Sequence, residues 1–149
     1  MTNQLIWIAL AILAGAMIPV QTASNTALGK SLGHPFWSSF AVFIVAMLAI
    51  AATILVTRID LPTGAAIWSA PWWAWLGGLL GAVYIFLLIY LAPKLGIGTV
   101  TALVVAGQIL AAVVIDHFGL LNFPVHGLSI YRVAGVALMI VGVTLIRLF

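Results

Sequence analysis

Five apolar stretches, each close to the roughly 20 residues that cross a bilayer as a helix, run the length of this chain. Lys30, Arg58, Lys94, Arg132 and Arg147 fall one to a gap, near the ends of those stretches, and hardly any charge falls inside one. Charged residues make up 5% of the 149, against roughly a quarter in a soluble domain. So few charges cannot cover a surface that faces water. Lipid is therefore the solvent for most of the chain, and the expected fold is an all-α integral membrane protein in a single membrane domain, 1–149.

The five helices are expected at about 5–28, 36–56, 72–91, 97–115 and 131–148. Gly33-His34-Pro35 breaks the first from the second, with Pro35 suited to the first turn of a helix. The run from Arg58 to Gly64, the turn Pro93-Lys94-Leu95-Gly96, and Asn122-Phe123-Pro124 with Gly127 supply the other breaks. The stretch 61–71 is expected to lie on the membrane surface with Trp68 as an anchor. The first stretch has no basic residue before it and exceeds the about 7–15 apolar residues of a signal peptide, so a retained helix is expected there.

An odd number of spans puts the two ends of the chain on opposite sides. Arg58 and Arg132 then share the side of the N-terminus, and Lys30, Lys94 and Arg147 share the other, two against three. Basic residues normally concentrate in cytoplasmic loops and set orientation. Here that signal almost cancels, which permits insertion both ways and pairing with an inverted copy. Small residues four apart, such as Gly77 with Gly81 and Ala102 with Ala106, mark faces where helices approach closely in lipid. Most of them are expected to pack within one chain.

Polar side chains inside the apolar stretches carry the functional reading. Gln21 and Asn25 are four apart and share a helix face, just after Pro19, which removes a backbone donor and bends a helix. Gln108 stands alone in the middle of the fourth stretch. A carboxamide at that depth needs a partner, a water or a solute. Gln21, Asn25 and Gln108 are the expected solute contacts; the alternative is that they bond neighbouring helices. Thr22 and Ser24 read as packing, since their hydroxyls reach their own backbone. Asp116 closes the fourth stretch. It is the candidate for proton coupling; the alternative is an ion pair with Arg132 or Arg58. His34, His117 and His126 sit at stretch ends or in loops.

No nucleophile, histidine and acid share a face, and no phosphate-binding glycine loop occurs, so an enzyme is not expected. Two acids, Asp60 and Asp116, with no cysteine, leave no metal cage and no thiol chemistry. No cofactor is expected. The basic residues are scattered rather than clustered, which argues against nucleic acid as a partner. The expected partners are membrane lipid, a small solute and a second copy of the chain.

Several runs then resemble one family. They are Pro19-Val20-Gln21 with Asn25 and Leu28-Gly29, Leu91-Ala92-Pro93-Lys94-Leu95-Gly96, Thr99 to Leu103, and Gly107-Gln108-Ile109. Asp116-His117-Phe118-Gly119, Arg132-Val133-Ala134-Gly135 and Gly142-Val143 complete the set. Together they resemble the YdcZ family of bacterial membrane proteins, over the whole chain. The resemblance implies the bacterial inner membrane and the drug/metabolite transporter superfamily. Larger members of that superfamily are built from two inverted five-helix halves, and its smallest are four-helix exporters working as antiparallel dimers. A lone five-helix unit is then a half-transporter, expected to act as a homodimer, antiparallel, by alternating access on a polar metabolite or drug. The four-helix exporters carry a membrane-embedded glutamate in their first helix. This chain has no glutamate, and its neutral carboxamides suit an uncharged or zwitterionic solute better than a lipophilic cation. Two other readings stay open: a non-transporting subunit that scaffolds or regulates a larger assembly, and a carrier of lipids or lipid-linked sugars.

Overall fold

The computed structural model describes the backbone of residues 2–149 and the side chains of residues 4–149. It is all-helical. In order come α1 (Thr2–Ser31), α2 (Pro35–Thr57), a short α3 (Gly64–Ser69), a 3-10 turn (Trp72–Trp75), α4 (Leu76–Leu95), α5 (Ile97–Phe118), a second 3-10 turn (Leu120–Asn122) and α6 (Ile130–Leu148). Five segments are long and apolar enough to cross a membrane: Gln4–Ser31, Pro35–Thr57, Trp72–Leu95, Ile97–Phe118 and Ile130–Leu148. At most 11% of any span is buried within the chain, so the apolar side chains point outward. That is the inverse of a water-soluble fold, and it suits a hydrocarbon solvent in which backbone polar groups must be satisfied internally.

Helix ends follow the local chemistry. His34 caps α2, its Nδ1 accepting from Phe36 N at 3.2 Å, and Pro35 occupies a first-turn position where no N–H is missed. Arg58 closes α2 in the left-handed conformation, φ 52°. Thr63 caps α3 by accepting from Ala66 N at 3.3 Å. The stretch expected on the membrane surface thus contains a short capped helix, with Trp68 90% exposed.

Three spans run well past their expected ends. The first continues to Ser31, the third to Leu95 and the fourth to Phe118. Side-chain polarity rises near the interface before the backbone has reason to leave the helix, so hydropathy marks the end a turn early. Pro93 lies inside α4 rather than in a turn. So late in a helix a proline forfeits only the one bond back to residue 89. The turn into α5 is left to Gly96, at φ 84°, a conformation in which any side chain is strained. Pro19 likewise does not break α1, which runs unbroken through it.

The chain divides into two compact units, Met1–Lys94 and Leu95–Phe149. In the first, the buried side chains are small or hydroxylic where α1 meets α2: Thr22, Asn25, Ser38 and Ser39, with Leu88, Ile89 and Ala92 from α4. Ser38 is fully buried and its Oγ donates to the backbone oxygen of Asn25 at 2.5 Å. Gly29 brings the helices close; a methyl there would sit 3.4 Å from Ser38 Cβ and 3.5 Å from Ile89 Cγ2. Packing in this unit uses Gly29 and serines, not Gly77 and Gly81, whose open sides meet nothing within 4 Å. Within this unit those two glycines make no close helix contact.

In the second unit, α5 ends at Gly119 in the left-handed conformation, φ 59°. The chain then folds back, and the N–H of His126 donates to Asp116 O at 2.8 Å. A methyl at position 119 would lie 2.6 Å from Val125 Cγ2 and 3.3 Å from Phe123 O. Gly119→Ala is therefore expected to cost about 1–3 kcal/mol of stability, read as a lower unfolding midpoint in detergent micelles, whereas Gly64→Ala, with open space around it, should leave the midpoint unchanged.

Candidate functional site

Gln21 and Asn25 lie on one wall of an open groove of about 400 Å³ between α1 and α2. Ser24 and Leu28 complete the α1 wall, and the α2 wall is Ala41, Val42, Val45, Ala46 and Ala49. The alanines leave the space into which the carboxamides face. Among the described residues no titratable side chain lines the groove. Gln21 is about 5 Å past the middle of its span and Asn25 about 11 Å, at 1.5 Å per residue.

Asn25 is 9% exposed; its backbone oxygen accepts from Ser38, and its carboxamide, with no hydrogen bond to the other described residues, opens on the groove. Buried polar groups are normally paired; Thr26 Oγ1, Tyr84 Oη and His117 Nδ1 are the side-chain atoms buried without a partner among the described residues. Thr22 is paired, its Oγ1 donating to Ile18 O at 2.9 Å, which leaves it in packing as expected. Ser24 faces the groove instead.

Gln108 is exposed, at the middle of α5 in the second unit. Asp116 is half-buried in the same unit. Its Oδ2 is 3.5 Å from Arg132 Nη1, which also donates to His126 O at 3.4 Å. The acid, the fold-back of residues 119–129 and the first turn of α6 are thus tied at one corner. Among the described residues no three His, Cys, Asp or Glu side chains gather as a metal site.

Ser38 and Ser39 went unnoticed in the sequence. The visible signal was two adjacent hydroxyls at the start of a strongly apolar stretch, which suggest a buried helix contact. Phe86, Tyr90 and Lys94 were also missed; their spacing of four was the signal.

Residues 6–145 match the family described as "Putative inner membrane exporter, YdcZ". The chain belongs to the YdcZ family. It is an inner-membrane protein with five candidate membrane-spanning helices, and the YdcZ description is that of an exporter, not of an enzyme. No curated protein and no solved structure matches the chain.

Proposed function

We propose that this YdcZ protein is one half of an exporter, and that two copies inserted in opposite orientations form the working unit. It carries a small polar metabolite or drug without net charge, by alternating access. The observation that supports this most directly is the carboxamide of Asn25, which has no hydrogen-bond partner among the described residues and opens with Gln21 on the α1–α2 groove. A carboxamide both donates and accepts, which suits hydroxyl and amide solutes. A cation in this groove would lose its hydration and meet no countercharge. Gln108, at mid-span in α5, is the third solute contact in this reading. Gly77 and Gly81, which make no close helix contact within their own unit, would allow the close helix approach that a second copy needs.

Asp116 is the acid assigned to proton coupling. Protonation would dissolve its ion pair with Arg132 and release the corner that ties α5 to α6 in the second unit. In proteoliposomes, Asp116→Asn is expected to abolish flux driven by a pH gradient and to leave solute binding intact. Undiminished pH-driven flux would remove that role.

The solute class is tested by melting the purified protein with a panel of small solutes, since a ligand that prefers the folded state raises the midpoint. Uncharged amides or polyols are expected to raise it. Micromolar binding of quaternary ammonium compounds, undisturbed when Gln21, Asn25 and Gln108 are all replaced, would overturn the reading. The groove's walls are chiefly apolar and it is open along the helix pair. That supports a second reading, a carrier of lipids or lipid-linked sugars, which predicts translocation of labelled lipid with no solute flux. A chain that moves neither would be a scaffold.

A further inference from the structure

A second groove, of about 440 Å³, lies between α2 and α4. Phe36, Phe40 and Phe43 line it from α2, and Phe86 from α4. The one hydroxyl on its wall, that of Ser39, is taken up by its own helix, donating to Pro35 O at 3.1 Å. The groove offers nothing to a water-soluble ligand, and it is continuous with the exposed apolar surface of both helices.

An aromatic ladder climbs from it. Phe86, Tyr90 and Lys94 are four apart and share one face of α4. Phe36 stacks on Phe86 at 4.2 Å between ring centroids, and Phe86 on Tyr90 at 5.8 Å. Lys94 Nζ sits 3.7 Å from the centroid of the Tyr90 ring. The ammonium therefore ends the ladder, within about 10 Å of the Phe86 ring, and its residue lies in the last turn of α4. No carboxylate neutralises it, the one ion pair among the described residues being that of Asp116 with Arg132. The ring holds one side of the ammonium, which keeps N–H donors for an anion on the other.

An apolar channel with a fixed cation within about 10 Å of its Phe86 ring, toward the membrane surface, has the polarity of a single lipid molecule. We propose that the α2–α4 face binds a phospholipid with an anionic headgroup, one acyl chain lying among Phe36, Phe40, Phe43 and Phe86 and the phosphate beside Lys94. This site is separate from the α1–α2 groove and does not depend on the transport reading.

The test uses the purified, delipidated full-length protein in detergent. Lipid retention is measured by native mass spectrometry and the melting midpoint is followed alongside. Phosphatidylglycerol is expected to be retained over phosphatidylcholine by about fivefold, the equivalent of the ~1 kcal/mol that one basic side chain near the surface contributes toward anionic lipid. Glycerol phosphate, which lacks acyl chains, should neither bind nor raise the midpoint. Lys94→Gln should remove the preference, while Lys30→Gln, a cation on the same side of the membrane, should leave it. Ala82→Phe, which fills the groove, should lose both lipids; because that variant could misfold, Lys94→Gln carries the decision. Equal retention of the two lipids, an equal loss in Lys30→Gln, or a response to glycerol phosphate overturns the proposal.

Discussion

Asn25→Leu is expected to stop solute binding and, in the same variant, to make the protein more stable. The two effects share one cause. The Asn25 carboxamide opens on a groove of chiefly apolar walls and has no hydrogen-bond partner among the described residues. An unpaired polar group in apolar surroundings costs about 1–3 kcal/mol. Leucine has a similar length and no such penalty, so the unfolding midpoint should rise by the equivalent of roughly 1 kcal/mol. A solute that relied on the carboxamide loses its hydrogen bonds, worth about tenfold or more in affinity. Ser38→Ala provides the contrast. Its hydroxyl is fully buried and spans two helices, so its loss should destabilise by about 0.6–2 kcal/mol without a comparable loss of affinity. Calorimetric binding and unfolding in micelles, measured on both variants, decide the matter. If Asn25→Leu destabilises as much as Ser38→Ala does, Asn25 holds helices together and is not a solute contact.

That opposition of signs is also where the sequence stops being informative. The five spans could be read directly, because in lipid hydropathy and helix formation are driven by the same requirement, internal satisfaction of the backbone. Their ends could not, because Lys30 and Pro93 look like breaks yet fit the final turns of helices. The presence of Gln21 and Asn25 on one face followed from their spacing. Which helix faces them did not, since that depends on how α1 is rotated against α2. The rotation is set by Ser38, Ser39 and Gly29, three small residues that a hydropathy scan passes over. Asp116 was left between two roles in the sequence. The structure adds its contact with Arg132, which is compatible with either, since an ion pair can be both a clasp and a proton-sensitive one.

The inverted pair yields the other large effect. The chain has no cysteine, so a single Leu61→Cys, at a residue 83% exposed in the link between α2 and α3, reports orientation without background. It is expected to react with an impermeant maleimide in intact cells in part, and in full only after permeabilisation. Shifting the charge balance should then separate two half-active populations. Ile59→Lys with Leu61→Lys and Lys30→Gln changes two against three into four against two, and Arg58→Gln with Leu32→Lys changes it into one against four. Each set should fix one orientation and abolish export, and co-expression of the two should restore it. Labelling of the unshifted protein from one side only, or full export by either set alone, would end the inverted-pair reading. The physical reason to expect pairing lies in the odd span count. A five-span unit joined end to end to its own copy is inverted automatically, whereas two separate copies reach that geometry only if neither side of the membrane holds the charge. Two basic residues against three is the smallest imbalance that five can give.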